Sequence, residues 1–79
     1  MGLTTTENKD LFEALRGLRK QLAEQEAIPA YIVLSDKVLH LLSMVQPTTI
    51  EEFGSISGIG EYKKKKYGKE FIELIRQFK

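Results

Sequence analysis

Four consecutive lysines, Lys63 to Lys66, follow a turn of two glycines around one isoleucine, Gly58-Ile59-Gly60, and are bracketed by Tyr62 and Tyr67. Ammonium groups displace the counterions condensed on a nucleic-acid backbone, and an aromatic ring gives a base a face to stack on. These residue types therefore suit a polyanionic strand. Each step along a helix turns the chain by about 100°, so four adjacent lysines cannot point the same way. Lys65 projects outward with Lys69 and Arg76, and Tyr62 and Lys66 occupy the neighbouring sector. Lys64 falls beside the apolar face set by Tyr67 and Phe71, so its stem is expected on the core with the ammonium reaching out. Lys63 sits at the other margin. The alternative is a solvated face tempered by Glu70 and Glu73, since lysine-rich helices also serve solubility.

The glycine turn offers a second anion-binding element. Gly58 and Gly60 can take backbone angles closed to other residues, leaving amides free at the start of the last helix, where the helix dipole favours a phosphate. The alternative is that the glycines only make the turn, with Ile56 and Ile59 plugging the core. On the first helix Arg16 and Lys20 form another basic stripe with Lys9, but Glu13 and Glu24 interleave at ion-pair spacing, which favours a salt-laced surface. Tyr31 follows Pro29 and can pack inward or stand out as a stacking platform; the residues alone favour packing inward.

Asp36, His40 and Ser43 collect the residue types of a hydrolytic triad. Neighbours on one helix are a poor substitute for a nucleophile held at an oxyanion hole, and no glycine-rich turn adjoins the serine. The chain also lacks the G-x-x-x-x-G-K-[ST] loop of nucleotide hydrolases. A non-catalytic binding module without cofactor is the expectation.

The elements that must position these groups fit one small domain, because 79 residues cannot enclose a second core. There is no cysteine and one histidine, which excludes disulfide staples and thiolate or histidine-rich metal sites and suits a reducing, intracellular setting. No apolar run approaches the ~18 residues of a membrane span. The net charge is only +1, yet residues 1–61 hold five Lys/Arg against nine Asp/Glu, and residues 62–79 hold seven against two. That asymmetry concentrates attraction for a polyanion at the C-terminal end.

Leu11, Leu15, Leu18 and Leu22 recur at helical spacing and predict a helix from about Glu7 to Ala27, with Phe12 and Ala23 widening the stripe and Pro29 stopping it. Thr4 with Glu7 matches a capping box, and Thr6 or Asn8 could cap instead. The segment "IPAYIVLSD" is expected as a tight, buried connection. Ser35 is a good N-cap for a helix from Asp36 to about Val45, its apolar face made by Val38, Leu41, Leu42 and Val45, with Leu39 at the edge and Pro47 closing it. Thr48 with Glu51, or Thr49 with Glu52, introduces a helix of little more than a turn that Gly54 ends, anchored by Ile50 and Phe53. The last helix, about Glu61 to Phe78, sets Tyr67, Phe71, Leu74, Ile75 and Phe78 on one face, and Gly68 is a candidate bend. The fold class is all-α, a compact single-domain bundle. The opening "MGLTTT" fits the loose myristoylation pattern, but a start methionine and short linker before a cut-out domain would look the same. Residues 1–8 are expected to be a flexible leader and 9–79 the helical domain.

Residues 11 to 75 resemble a known family. The "LR.LR" phase of the first helix (Leu15, Arg16, Leu18, Arg19), the "P.Y.V..D" connection (Pro29, Tyr31, Val33, Asp36), the "PTT.EE" entry (Pro47 to Glu52) and "I.GIG..K...YG..F" (Ile56 to Phe71) look like an HRDC domain, the helicase and RNase D C-terminal module. The likeness is greatest to the version that ends bacterial RecQ DNA helicases. The resemblance implies a bundle of about five short helices that assists an ATP-dependent parent helicase by binding single-stranded or partly duplex DNA. It implies a bacterial, cytoplasmic, nucleoid-associated setting and a monomer in isolation. The alternative partners it implies are the parent helicase core, a repair protein, or RNA, as for the modules that follow RNase D nucleases. The RecQ version implicates the tyrosine of the connection in strand contact, which here is Tyr31 and reverses the inward reading. Lys63 matches a frequent family lysine. Lys64 stands where the family usually has an apolar residue and Lys65 where it often has an acid, so this last helix is more basic than usual. The expected nucleic-acid contacts are Tyr31, Lys63, Lys65, Lys66 and Lys69, with Tyr62, Arg16, Lys20 and the Gly58 and Gly60 amides as further contributors.

Overall fold

Residues 9–78 are described by a computed structural model, and they form α1 (Lys9–Glu26), α2 (Ala30–Val33), α3 (Asp36–Val45), α4 (Ile50–Gly54) and α5 (Gly60–Gln77). The Thr4, Thr6 and Asn8 capping choices, the myristoylation pattern and the leader lie outside the described residues. No helix among the described residues is long and apolar enough to cross a membrane.

α1 buries Leu11, Leu15, Leu22 and Ala23 as its spacing predicts, with Leu18 half-buried. Its end is set before the proline. Ala27 takes a left-handed φ of 57°, its N–H donates to the Glu24 carbonyl at 3.2 Å, and the Ile28 N–H donates to the Ala23 carbonyl at 3.0 Å. That pair of bonds is a Schellman motif, which satisfies carbonyls left open at a helix end. α3 also ends on a left-handed residue, Gln46 at φ 54°, but with the single bond of its N–H to the Leu42 carbonyl at 2.9 Å, since Pro47 has no N–H to make the second.

The segment after Pro29 corrects the expectation of a buried connection. It is the single helical turn α2, which packs on α1 and buries Val33 while leaving Tyr31 61% and Ile32 47% exposed. A four-residue turn can offer only one side to its support, so half of an apolar run must face out. α3 starts as expected, Ser35 Oγ accepting from the Val38 N–H. Its buried face is Val38, Leu39, Leu42 and Ser43, rotated from the expected one, and Val45 is 54% exposed. The rotation accompanies the packing of α1 on α3, where Phe12 stacks on His40.

For α4 the structure selects the second of the two capping pairs: Thr49 Oγ1 accepts from the Glu52 N–H, and Glu52 Oε1 accepts from the Thr48 N–H one residue before the cap. Phe53 is fully buried and stacks on Phe71 of α5, ring centroids 6.0 Å apart. Ile50, expected as a core anchor, is 38% exposed, and Phe78 at the end of α5 is 40% exposed. Gly68 is where α4 comes close: a Cβ there would lie 3.0 Å from Ile50 Cδ1 and 3.5 Å from Phe53 Cδ2. The added contact with α4 also buries Ile72, which the single-face projection of α5 missed.

Candidate nucleic-acid interface

α5 begins from the glycine turn. Ile56 and Ile59 are buried on either side of it, as the packing alternative anticipates. Gly58 has φ 98°, and a Cβ on it would stand 2.8 Å from Val38 Cγ2, so this position needs glycine for both conformation and space. Gly60 has φ 70° with nothing within 4 Å of the Cβ site. No side chain caps the first turn, but Glu61 lies in it and places Oε2 3.0 Å from Lys64 Nζ. The turn is therefore accounted for by packing and backbone angles, and Glu61 already supplies negative charge to the helix start.

The lysines then separate into two kinds. Lys64 lays its stem over Gly54, where a Cβ would meet its Cδ and Cγ, and pairs its ammonium with Glu61, as its phase predicts. Lys66 Nζ lies 3.3 Å from Glu26 Oε2 at the end of α1, with the Tyr62 and Tyr67 ring centroids 5.7 and 5.9 Å away. Tyr62 and then Glu26 raise its pKa above the ordinary lysine value. Lys63 is half-buried, Lys65 and Lys69 are exposed, and none of the three has a carboxylate at ion-pair distance among the described residues. Arg76, on the same face as Lys65 and Lys69, spends Nε and Nη2 on the Thr48 carbonyl oxygen at 3.2 and 2.9 Å. Tyr62 is 69% exposed.

Arg16 and Lys20 form a second patch. Arg16 Nη1 pairs with Glu13 at 3.1 Å, as the salt-laced reading expects, while Lys20 has no carboxylate partner among the described residues. Both line a depression of about 360 Å³ that Ala30, next to Tyr31, closes on the α2 side. The structure thus sets Tyr62 beside Lys66, and Tyr31 stands exposed on α2 next in sequence to Ala30. No ring or ion contact links Tyr31 to the α5 lysines.

The triad-like residues are engaged otherwise. Asp36 accepts from Arg19, His40 stacks on Phe12 with centroids 4.4 Å apart, and Ser43 Oγ donates to the His40 carbonyl at 2.8 Å. Two positioning residues escaped the sequence reading. Arg19 is buried, and its phase could have shown it, because it stands four residues after Leu15 and three before Leu22 on the apolar stripe. Glu26, which holds Lys66 and accepts from the Tyr67 hydroxyl at 3.1 Å, left no local signal.

A model of the HRDC domain family matches residues 8–75. The chain belongs to the HRDC domain family. The ATP-dependent DNA helicase RecQ of Bacillus subtilis is 42% identical over 73 residues, covering 92% of this chain and 12% of that protein. RecQ of Pasteurella multocida is 46% identical over 72 residues, covering 91% of this chain and 11% of the relative. ATP-dependent DNA helicase UvrD2 of Mycobacterium tuberculosis is 30% identical over 69 residues, 87% of this chain and 10% of that protein. This HRDC domain therefore spans only a small share of each relative. A solved structure, D. radiodurans RecQ HRDC domain 3, superimposes with a TM-score of 0.85 at 33% identity, covering 89% of this chain and 92% of that one. That match bears out the five-helix, all-α expectation.

Proposed function

We propose that this HRDC domain is an accessory DNA-binding module of a RecQ-type DNA helicase, holding single-stranded or partly duplex DNA weakly and without strong sequence preference. The observation that carries it is the set of unneutralised ammonium groups of Lys63, Lys65 and Lys69 on the helix that also exposes Tyr62. Such groups gain entropy by releasing counterions from a backbone, and exposed rings stack on any base, which makes affinity salt-sensitive and sequence-tolerant. Tyr31, exposed on α2, is the second stacking platform. Names of the RecQ and UvrD2 relatives support a helicase parent, within which a tether would raise the local concentration of the domain near DNA.

The test is anisotropy of a labelled single strand across a salt series. Lys65→Glu with Lys69→Glu should weaken binding and reduce the salt slope by about 1.4, roughly 0.7 per lost phosphate contact on a single strand. Unchanged affinity at low salt would remove α5 from the site. Docking on the parent helicase core is the competing reading, favoured by a groove between α1 and α5 whose apolar floor includes Leu18 and Leu74 and whose wall carries Glu70 and Glu73. Clear docking on separately purified core without binding to DNA or RNA strands would establish it instead.

A further inference from the structure

The face of α5 that carries Lys65 and Lys69 continues into a cleft. Lys65, Lys69, Ile72 and Arg76 are spaced by four, three and four residues, which is one side of a helix. Beside the lower part of that side, where the loop between α3 and α4 crosses it, lies a depression of about 310 Å³. Its floor is apolar, made by Ile50 and Ile72, and its wall is made by Thr48 and Thr49. Lys69, Glu73 and Arg76 stand around its rim.

We infer that this cleft receives one nucleobase of the bound strand, with the adjoining phosphate on Lys69. The inference deepens the proposed function and rests on it. Small-ligand sites begin at about 300 Å³, so the cleft has room for a base and sugar and not for a duplex. An apolar floor flanked by cations matches a nucleotide, which is flat and weakly polar at one end and anionic at the other. Lys69 has no carboxylate partner among the described residues and is free to meet the phosphate. Arg76, bonded twice to the Thr48 carbonyl, fixes the wall against α5, so the cleft exists before the strand arrives. Thr49 Oγ1 accepts from the Glu52 N–H, which leaves its hydroxyl proton to donate to a base oxygen or nitrogen. The Glu73 carboxylate opposes a phosphate placed directly on it but accepts an N–H from a base edge. Every natural base carries at least one such N–H, so the cleft adds affinity without choosing sequence.

The test is an NMR titration of the 79-residue chain, with labelled isoleucine methyls and backbone amides, against oligothymidylate and an abasic oligonucleotide of equal length. The Ile50 and Ile72 methyl signals should move with oligothymidylate and stay still with the abasic strand, while the Lys65 and Lys69 amides move with both. Ile50→Ala should lower affinity for oligothymidylate about fivefold, roughly the loss of one buried methylene of apolar contact with the base, and leave abasic binding unchanged. If that variant loses helicity, the methyl shifts of the unaltered chain decide. Amide shifts with both strands and immobile methyls would overturn the base site while leaving backbone binding in place. Silence of every signal with either strand would overturn both the inference and the proposed function.

Discussion

Arg19 Nη1 lies 2.8 Å from Asp36 Oδ1 and 2.9 Å from the Leu34 carbonyl oxygen, so one side chain of α1 holds both the end of the α2 turn and the start of α3. The two partners are unequal. The Arg19 side chain is 11% exposed and that of Asp36 is 78% exposed, so the arginine is the buried member and the carboxylate its solvated lid.

Arg19→Ala should therefore destabilise the domain by about 2–3 kcal/mol, since it opens a cavity and strips the buried Leu34 carbonyl of its donor. Asp36→Asn should cost clearly less, because Arg19 keeps the carbonyl and an exposed ion pair contributes little. Urea titrations of both variants check the order. Equal losses would mean that the ion pair, and not the carbonyl contact, holds the junction.

Acidification probes the same contact. The hydrogen bond and charge of Arg19 hold the Asp36 carboxyl below its ordinary value. With the folded pKa below an unfolded value of about 3.9, the contribution is present above that pH and drains away as pH falls through the folded pKa. Asp36→Asn should therefore lower stability at neutral pH by that contribution, flatten the acid limb below pH ~4, and converge with the wild type once the carboxyl is protonated.

Tyr67, like Lys66, contributes to the alkaline limb. Burial first, then the hydrogen bond to Glu26, raises the pKa of its hydroxyl. A raised folded pKa gives stability that is full below the unfolded value of about 10 and is lost as pH climbs through the folded one. Tyr67→Phe should cost about 1 kcal/mol at neutral pH and remove the part of the alkaline loss that Tyr67 causes. A wild-type alkaline slope in that variant would assign the effect to other groups.

Ala27 pays for its left-handed conformation at the end of α1. Glycine takes that region without a Cβ penalty, so Ala27→Gly should raise stability by about 0.5–1 kcal/mol despite the extra freedom of the unfolded chain. A higher urea midpoint with unchanged slope checks it; a lower midpoint would show that the Schellman geometry is not retained.

Lys65 and Lys66 are adjacent yet should behave differently toward DNA. Lys66 is held by Glu26 and must give up that pair to meet a phosphate, whereas Lys65 has no such partner among the described residues. Lys65→Gln should lower the salt slope of strand binding by about 0.7, and Lys66→Gln by distinctly less. Equal effects would mean that the Glu26 contact opens in the complex.

The amino-acid order by itself determined the features that depend on residues a few positions apart. The buried leucines of α1, the Ser35 cap, the capping box at Thr48 or Thr49 and the inward-lying stem of Lys64 all follow from helical phase or from a donor within one turn. The ordered HRDC motifs, spread along the chain, also carried the family. What only the tertiary structure decided is which charges are spent and which surfaces are covered. Glu26 meets Tyr67 across 41 residues of sequence, and that distant contact removes Lys66 from the free cations. The same holds for Arg76 on Thr48, for Tyr31 standing out of a one-turn helix, and for the cleft over Ile50. Ion pairing and burial depend on which element lies opposite, and no local spacing encodes the identity of a neighbour brought in by folding.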